Sequence, residues 1–139
     1  MTRQIFLACL SLFAALAFAA PAAADDASDI RSVISRQLDA FRSDDAPAAY
    51  SHAAPNIQAM FPTPQVFMGM VQSAYDPVYR PNSVVFGALK ADGTGFRQEV
   101  HLTDRKGQSW IASYTLEREP DGTMKITSCT LRKGDDLAA

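Results

Sequence analysis

The spacing of apolar residues divides the chain near Pro81. Before this proline, apolar residues recur every three or four positions, which is typical of amphipathic helices. Three helices are predicted on this basis, over residues 28–42, residues 46–54 and residues 64–75. Pro55 is expected to end the second helix, and Thr63 is expected to cap the third.

After Pro81 the apolar residues alternate with polar ones, which predicts strands over residues 83–89, 96–103, 108–118 and 123–132. The first of these runs is apolar on both faces, so a strand covered on both sides is expected. The Asp-Arg-Lys-Gly and Glu-Pro-Asp-Gly sequences between the later runs are turn signals.

The last predicted strand changes phase along its length. Met124 and Ile126 share one side of the alternation, whereas Cys129 and Leu131 share the other. Such a change predicts a bulge or strong curvature near Thr127.

Helices followed by an antiparallel meander predict an α+β domain. We expect three N-terminal helices packed on a curved four-stranded antiparallel sheet, which together enclose a cone with a concave interior. This domain is predicted over residues 25–132, with a disordered tail over residues 133–139.

Residues 1–24 have the features of a cleaved secretory signal peptide. Arg3 supplies the positive charge, residues 5–20 form a short apolar core, and Ala22 and Ala24 fit the small-residue cleavage positions. We therefore expect cleavage after Ala24 and a periplasmic or secreted protein. Two alternatives are a retained membrane anchor and a lipoprotein modified at Cys9. The apolar core is shorter than the ~20 residues of a spanning helix, so no stable membrane insertion is expected after cleavage.

Charge and cysteine content exclude several classes of function. The formal net charge is −2 and the basic residues are scattered, which argues against nucleic acid as a partner. After cleavage Cys129 would be the one remaining cysteine, so neither an internal disulfide nor a cysteine-rich metal site can form. No glycine-rich phosphate loop is present. We expect no metal and no cofactor.

Several segments resemble the nuclear-transport-factor-2-like superfamily. Residues 34–42, with the Asp-Asp and Ala-Tyr pairs that follow, resemble the opening of its members. Residues 55–81 and 110–117 narrow the resemblance to a family of small exported bacterial proteins known only as a domain of unknown function. The resemblance implies the cone fold, with either a small molecule held in the cone or a homodimer formed through the outer sheet face. It carries no catalytic residues.

Met124 and Ser128 depart from this resemblance, because Trp and Gly are expected at their positions in that family. These departures affect the packing of side chains and the bulge predicted near Thr127.

Aromatic and methionine side chains are the candidate binding residues. Trp110 and Tyr114 share one face of a predicted strand, and the others are expected at the mouth of the concave space. The full set is Tyr50, Met60, Phe67, Tyr75, Tyr79, Trp110 and Tyr114. The favoured function is a non-catalytic exported domain that binds a small apolar ligand or another protein.

The alternative function is a small lyase- or isomerase-type enzyme that uses the same cone. It would need Asp76 as a general base, or a tyrosine or a histidine such as His52, inside the pocket. Each of these residues also has a purely structural interpretation, as a helix end or a surface side chain. Cys129 is interpreted as a buried structural thiol. An ionisable side chain buried in the cone without a structural partner would favour the enzyme.

Overall fold

The computed structural model describes residues 22–134. The helices are α1 (Ala22–Arg42), α2 (Ala46–Ser51), α3 (Pro55–Met60), α4 (Pro64–Ala74) and α5 (Asp76–Tyr79). The strands are β1 (Ser83–Asp92), β2 (Gly95–Thr103), β3 (Ser109–Arg118) and β4 (Met124–Lys133). Most of the predicted signal peptide and the tail beyond residue 134 lie outside the described residues. Within residues 22–134, no helix is long and apolar enough to cross a membrane.

The strands form one antiparallel sheet in the order β1-β2-β3-β4. Both predicted turns are present, and in each a glycine adopts a positive φ, +82° at Gly107 and +88° at Gly122. Glycine adopts this conformation without the steric penalty that a Cβ atom would bring. The predicted α+β class and the open four-stranded meander are therefore confirmed.

Helix α1 packs its apolar stripe against the inner face of the sheet. Ile30, Ile34, Leu38 and Phe41 are buried at helical spacing along it. The sheet contributes buried side chains from its two central strands, Val100, Leu102, Ala112, Tyr114 and Leu116. The helices and one face of the sheet thus share a single apolar core.

The prediction of three helices is wrong in number, because two short helices were missed. Pro55 was expected to end a helix, but it lies in the first turn of α3, and Pro77 likewise lies in the first turn of α5. Proline is tolerated there because its missing N–H has no intrahelical partner in any case. Thr63 caps α4 as predicted, since its hydroxyl accepts a hydrogen bond from the Val66 N–H at 3.1 Å.

The segment between α2 and α3 leaves the helical conformation to pair with the sheet. Helix α2 ends at Ser51, earlier than predicted, and Ala53 forms a parallel bridge with Ile126 of β4. The Ala54 N–H donates to the Ile126 carbonyl at 2.8 Å, and the Ile126 N–H donates to the His52 carbonyl at 2.9 Å. These long-range bonds outweigh the helical preference of the alanines.

The expectation that β1 is covered on both faces is wrong, because Val85 on one of its faces is 61% exposed. The strand is also a sheet edge, since it pairs with β2 alone. Val66, at an apolar position of α4, is likewise exposed. An apolar run shows that a strand is favoured but does not show which elements cover it.

The bulge predicted near Thr127 is confirmed. Thr115 pairs with Ser128 and Leu116 pairs with Ile126, which leaves Thr127 without a partner in the register. The extra residue reverses the alternation of side chains along β4. Ile126 and Cys129 consequently face the same interior, although they are three residues apart.

Candidate functional site

A cavity of about 270 Å³ lies between the helices and the bulged end of the sheet. Its wall is built from α1, α3, α4, α5 and the facing segments of β3 and β4. None of the side chains that line it belongs to an aspartate, glutamate, lysine, arginine or histidine. The surface offered to a molecule inside is therefore mainly apolar.

Phe67 is the centre of an aromatic cluster along one side of the cavity. Its ring centroid lies 6.1 Å from that of Phe41, 5.7 Å from that of Tyr50 and 6.2 Å from that of Phe61. All three pairs are tilted, which is a favourable arrangement for aromatic rings. This cluster packs α4 against α1 and α2.

Tyr114 lines the cavity from the central strand β3. The residue is 1% exposed, and its hydroxyl has no nitrogen or oxygen partner among residues 22–134, while the Cys129 thiol is close enough to interact weakly with it. Burial raises the pKa of the Tyr114 phenol well above its usual value. At neutral pH this group stays protonated, so it can donate a hydrogen bond but cannot serve as a base.

Cys129 lies opposite Tyr114 in the pairing of β3 with β4 and also lines the cavity. Burial raises the pKa of its thiol to about 12. Because the thiolate is the reactive form of cysteine, this thiol is a poor nucleophile at neutral pH. Burial also raises the pKa of the Tyr75 phenol, so the ionisable groups of the cavity wall are uncharged.

The structure brings four of the seven predicted binding residues to the cavity, namely Met60, Phe67, Tyr75 and Tyr114. Tyr50 lies behind them, where its hydroxyl donates to the Phe61 carbonyl at 2.7 Å. Tyr50 therefore supports the wall by holding the α3–α4 connection and by packing on Phe67.

Tyr79 lies in a surface cluster outside the cavity wall. Its hydroxyl donates to the Asp44 carboxylate, and the Arg80 guanidinium lies 3.9 Å from the centre of its ring. Arg80 also pairs with Asp44 at 3.0 Å. The hydrogen bond from Tyr79 and the charge of Arg80 lower the pKa of the Asp44 carboxyl. This cluster joins the end of α1 to α5.

Trp110 lies at the far end of the strand that carries Tyr114. Its indole N–H donates to the Asp104 carboxylate at 2.9 Å, beside the turn between β2 and β3. Four residues along a strand correspond to about 13 Å, so a shared face does not bring Trp110 to the cavity.

Gln37, Ile57 and Cys129 are among the lining residues that reasoning from the sequence missed. Helical spacing could have found Gln37, which lies three positions after Ile34 on the buried side of α1. Ile57 lies on α3, which was not predicted. Cys129 could have been identified from the phase change in β4, because a bulge at Thr127 places Cys129 on the same interior face as Ile126.

The carboxylate and histidine candidates of the enzyme alternative lie outside the cavity wall, whereas two tyrosines, Tyr75 and Tyr114, line it. The Asp76 carboxylate pairs with Arg105. Burial, and then the charges of Lys125 and Arg36, lower the pKa of His52. A Cβ atom at Gly87 would lie 2.8 Å from His101 Nε2, which places this imidazole against β1. In the described part of the chain, no three His, Cys, Asp or Glu side chains are grouped to hold a metal ion.

Comparison with known structures supports the fold. An NTF-2 like protein of unknown function from Silicibacter pomeroyi DSS-3 is similar, with a TM-score of 0.57 at 15% identity, over 80% of this chain and 98% of that chain. A similar protein of unknown function from Burkholderia xenovorans LB400 has a TM-score of 0.49 at 14% identity, over 82% of this chain and 89% of that chain. The curated proteins contain no match.

The family comparison agrees with the resemblance seen in the sequence. The model of the domain of unknown function DUF4864 matches residues 23–139, which is nearly the whole chain outside the predicted signal peptide. The protein therefore belongs to the DUF4864 family of domains of unknown function, and it has the NTF-2-like fold.

Proposed function

We propose that this protein is an exported, non-catalytic domain that binds a small, largely apolar ligand in the cavity between its helices and its sheet. The observation that carries the proposal is the cavity of about 270 Å³ with no charged side chain in its wall. Small-molecule sites are typically concave and mostly apolar, with a few polar groups. Benzene occupies an apolar cavity of about 150 Å³, so a ligand somewhat larger than one aromatic ring is expected.

The ionisation of the cavity wall supports binding without chemical conversion. A general base works best when its pKa lies near the working pH. The phenols of Tyr75 and Tyr114 and the thiol of Cys129 all have raised pKa values, so none of them accepts a proton at neutral pH. The unpartnered Tyr114 hydroxyl is the one observation that favours an enzyme, and it could supply only a hydrogen-bond donor.

Displacement of a neutral fluorescent probe tests this proposal. N-phenyl-1-naphthylamine should bind the purified protein with a micromolar Kd, and neutral bicyclic compounds should displace it. Binding of such a molecule to an apolar cavity would correspond to about −8 kcal/mol. Trp110 is a poor reporter because its indole lies outside the cavity wall. Absence of probe binding, together with unchanged NMR signals of the cavity methyl groups at millimolar ligand, would rule the proposal out.

Export is tested by the mass of the mature protein. The match to the family begins at residue 23, which supports a processed segment before it. Protein recovered from the periplasm of an expression host should begin at Asp25. Intact-mass spectrometry distinguishes this product from the full-length chain and from a lipid-modified form. Either of the latter two products would contradict export with cleavage after Ala24.

A further inference from the structure

The hydroxyl of Tyr114 is a buried polar group of the cavity wall that has no nitrogen or oxygen hydrogen-bond partner among the described residues. The Cys129 thiol is close enough to interact with it. Buried polar groups in folded proteins are nearly always hydrogen-bonded, because an unpaired one destabilises the fold. An unpaired hydroxyl in a cavity wall therefore points to a partner that comes from outside the chain.

The amide and aliphatic hydroxyl side chains that line the cavity are engaged within the protein. The Gln37 amide donates to the Ala49 carbonyl at 3.1 Å, and the Asn56 amide donates to the Thr127 carbonyl at 2.9 Å. The hydroxyls of Thr127 and Ser128 both bond to Thr115. The neighbouring Cys129 thiol is a weak acceptor that only poorly replaces an oxygen.

The cavity wall continues to an apolar mouth. Met60 lines the cavity and is 67% exposed, so it reaches from the interior to the surface. On α4, Met70 lines the cavity and is only half-buried. A ligand that enters polar end first would keep its apolar remainder in contact with these side chains.

We propose that Tyr114 donates a hydrogen bond to the carbonyl oxygen of a neutral, otherwise apolar ligand, whose apolar part lies toward Met60 and Met70. This inference rests on the proposed binding function and names the ligand class. The wall contains no cationic side chain that could compensate a carboxylate, so an uncharged ketone, aldehyde or ester is selected over a fatty acid. The raised pKa of Tyr114 keeps its proton available for donation across the neutral range.

Access to the hydroxyl requires a small rearrangement. The Tyr114 oxygen is shielded from solvent, so a carbonyl group reaches it after a neighbouring side chain changes rotamer. The flexible methionine at position 70 makes the wall adaptable enough for such a movement.

A double comparison of ligands and variants tests the inference. The ligands are 2-acetylnaphthalene and 2-isopropenylnaphthalene, which differ by the replacement of the carbonyl oxygen with CH₂. The proteins are the wild type, Tyr114→Phe, and the control Tyr79→Phe, which removes a tyrosine hydroxyl outside the cavity wall. A neutral hydrogen bond contributes roughly five- to tenfold in Kd, so the wild type and Tyr79→Phe should prefer the ketone by that factor. Tyr114→Phe should lose the preference.

Two further measurements distinguish this role from a structural one. The infrared stretch of a ¹³C-labelled carbonyl should shift to lower frequency in the wild type and not in Tyr114→Phe. The melting temperature of Tyr114→Phe should equal or exceed that of the wild type, because the variant removes an unpaired buried hydroxyl. A clear decrease in melting temperature would show that the hydroxyl has a partner inside the protein and would overturn the inference.

The outcomes separate this inference from the proposed function. Equal affinity of the wild type for both ligands, or a ketone preference that survives in Tyr114→Phe, overturns the role of Tyr114 and leaves apolar binding intact. Binding of the fluorescent probe without binding of the ketone also overturns it. Failure of the probe and of both naphthalenes to bind would overturn the proposed function itself.

Discussion

Replacement of Phe41 by alanine should lower the free energy of unfolding by about 3–5 kcal/mol. Phe41 is 1% exposed, and its ring packs against Phe67, with 6.1 Å between the centroids. It also lines the cavity, so truncation would leave a larger void beside an existing one. A domain of this size typically has only 5–15 kcal/mol of stability, so the expected loss is a large fraction of the total.

Urea denaturation followed by circular dichroism measures this loss. Val66→Ala is the control, because its side chain is 51% exposed and its truncation should change the stability by less than about 1 kcal/mol. If Phe41→Ala is too unstable to purify, Phe41→Leu should show a smaller loss in the same direction. A loss below about 1 kcal/mol for Phe41→Ala would mean that α1 is not held against α4 through this ring.

Replacement of Met70 by tryptophan should weaken binding of the neutral probe by at least about 100-fold. Met70 lines the cavity from α4, and the larger ring would occupy the space that the ligand needs. The residue is only half-buried, so the indole can also reach toward solvent and the fold should survive. Probe titration measures the affinity, and thermal denaturation checks the fold.

The matched control is Val66→Trp, one turn earlier on the same helix. Val66 is exposed and does not line the cavity, so the same ring placed there should leave the Kd within about threefold of the wild-type value. Wild-type affinity in a folded Met70→Trp variant would show that the probe binds elsewhere. Equal loss in both variants would point to the outer surface of α4 as the binding surface.

The main elements of the fold could be predicted from the sequence because their signals are local. The apolar spacing from Ile30 to Phe41 marks one face of α1, and this face is buried in the structure. The turn at Gly122 and the bulge at Thr127 were likewise readable, from a turn motif and from a change of phase. In each case the signal depends on residues a few positions apart, where backbone geometry alone sets the pattern.

The short helices and the exposure of β1 could not be predicted in the same way. Pro55 and Pro77 are compatible both with the end of one helix and with the first turn of the next. Pairing of Ala53 with Ile126, more than seventy positions away, helps to decide where α2 stops. The apolar residues of β1 favour a strand in either a central or an edge position, and the sheet order decides between them.

For the candidate site, the chemistry of the side chains and the faces they share could be read from the sequence, and this was enough to select Met60, Phe67, Tyr75 and Tyr114. The hydrogen bonds of Tyr79 and Trp110 with Asp44 and Asp104, outside the cavity wall, could not be read in this way. The same holds for the Tyr114 hydroxyl, which has no nitrogen or oxygen partner within residues 22–134. Hydrogen-bond partners and cavity walls depend on how the folded chain brings separate segments together, whereas periodicity reports only the direction of a side chain from its own helix or strand.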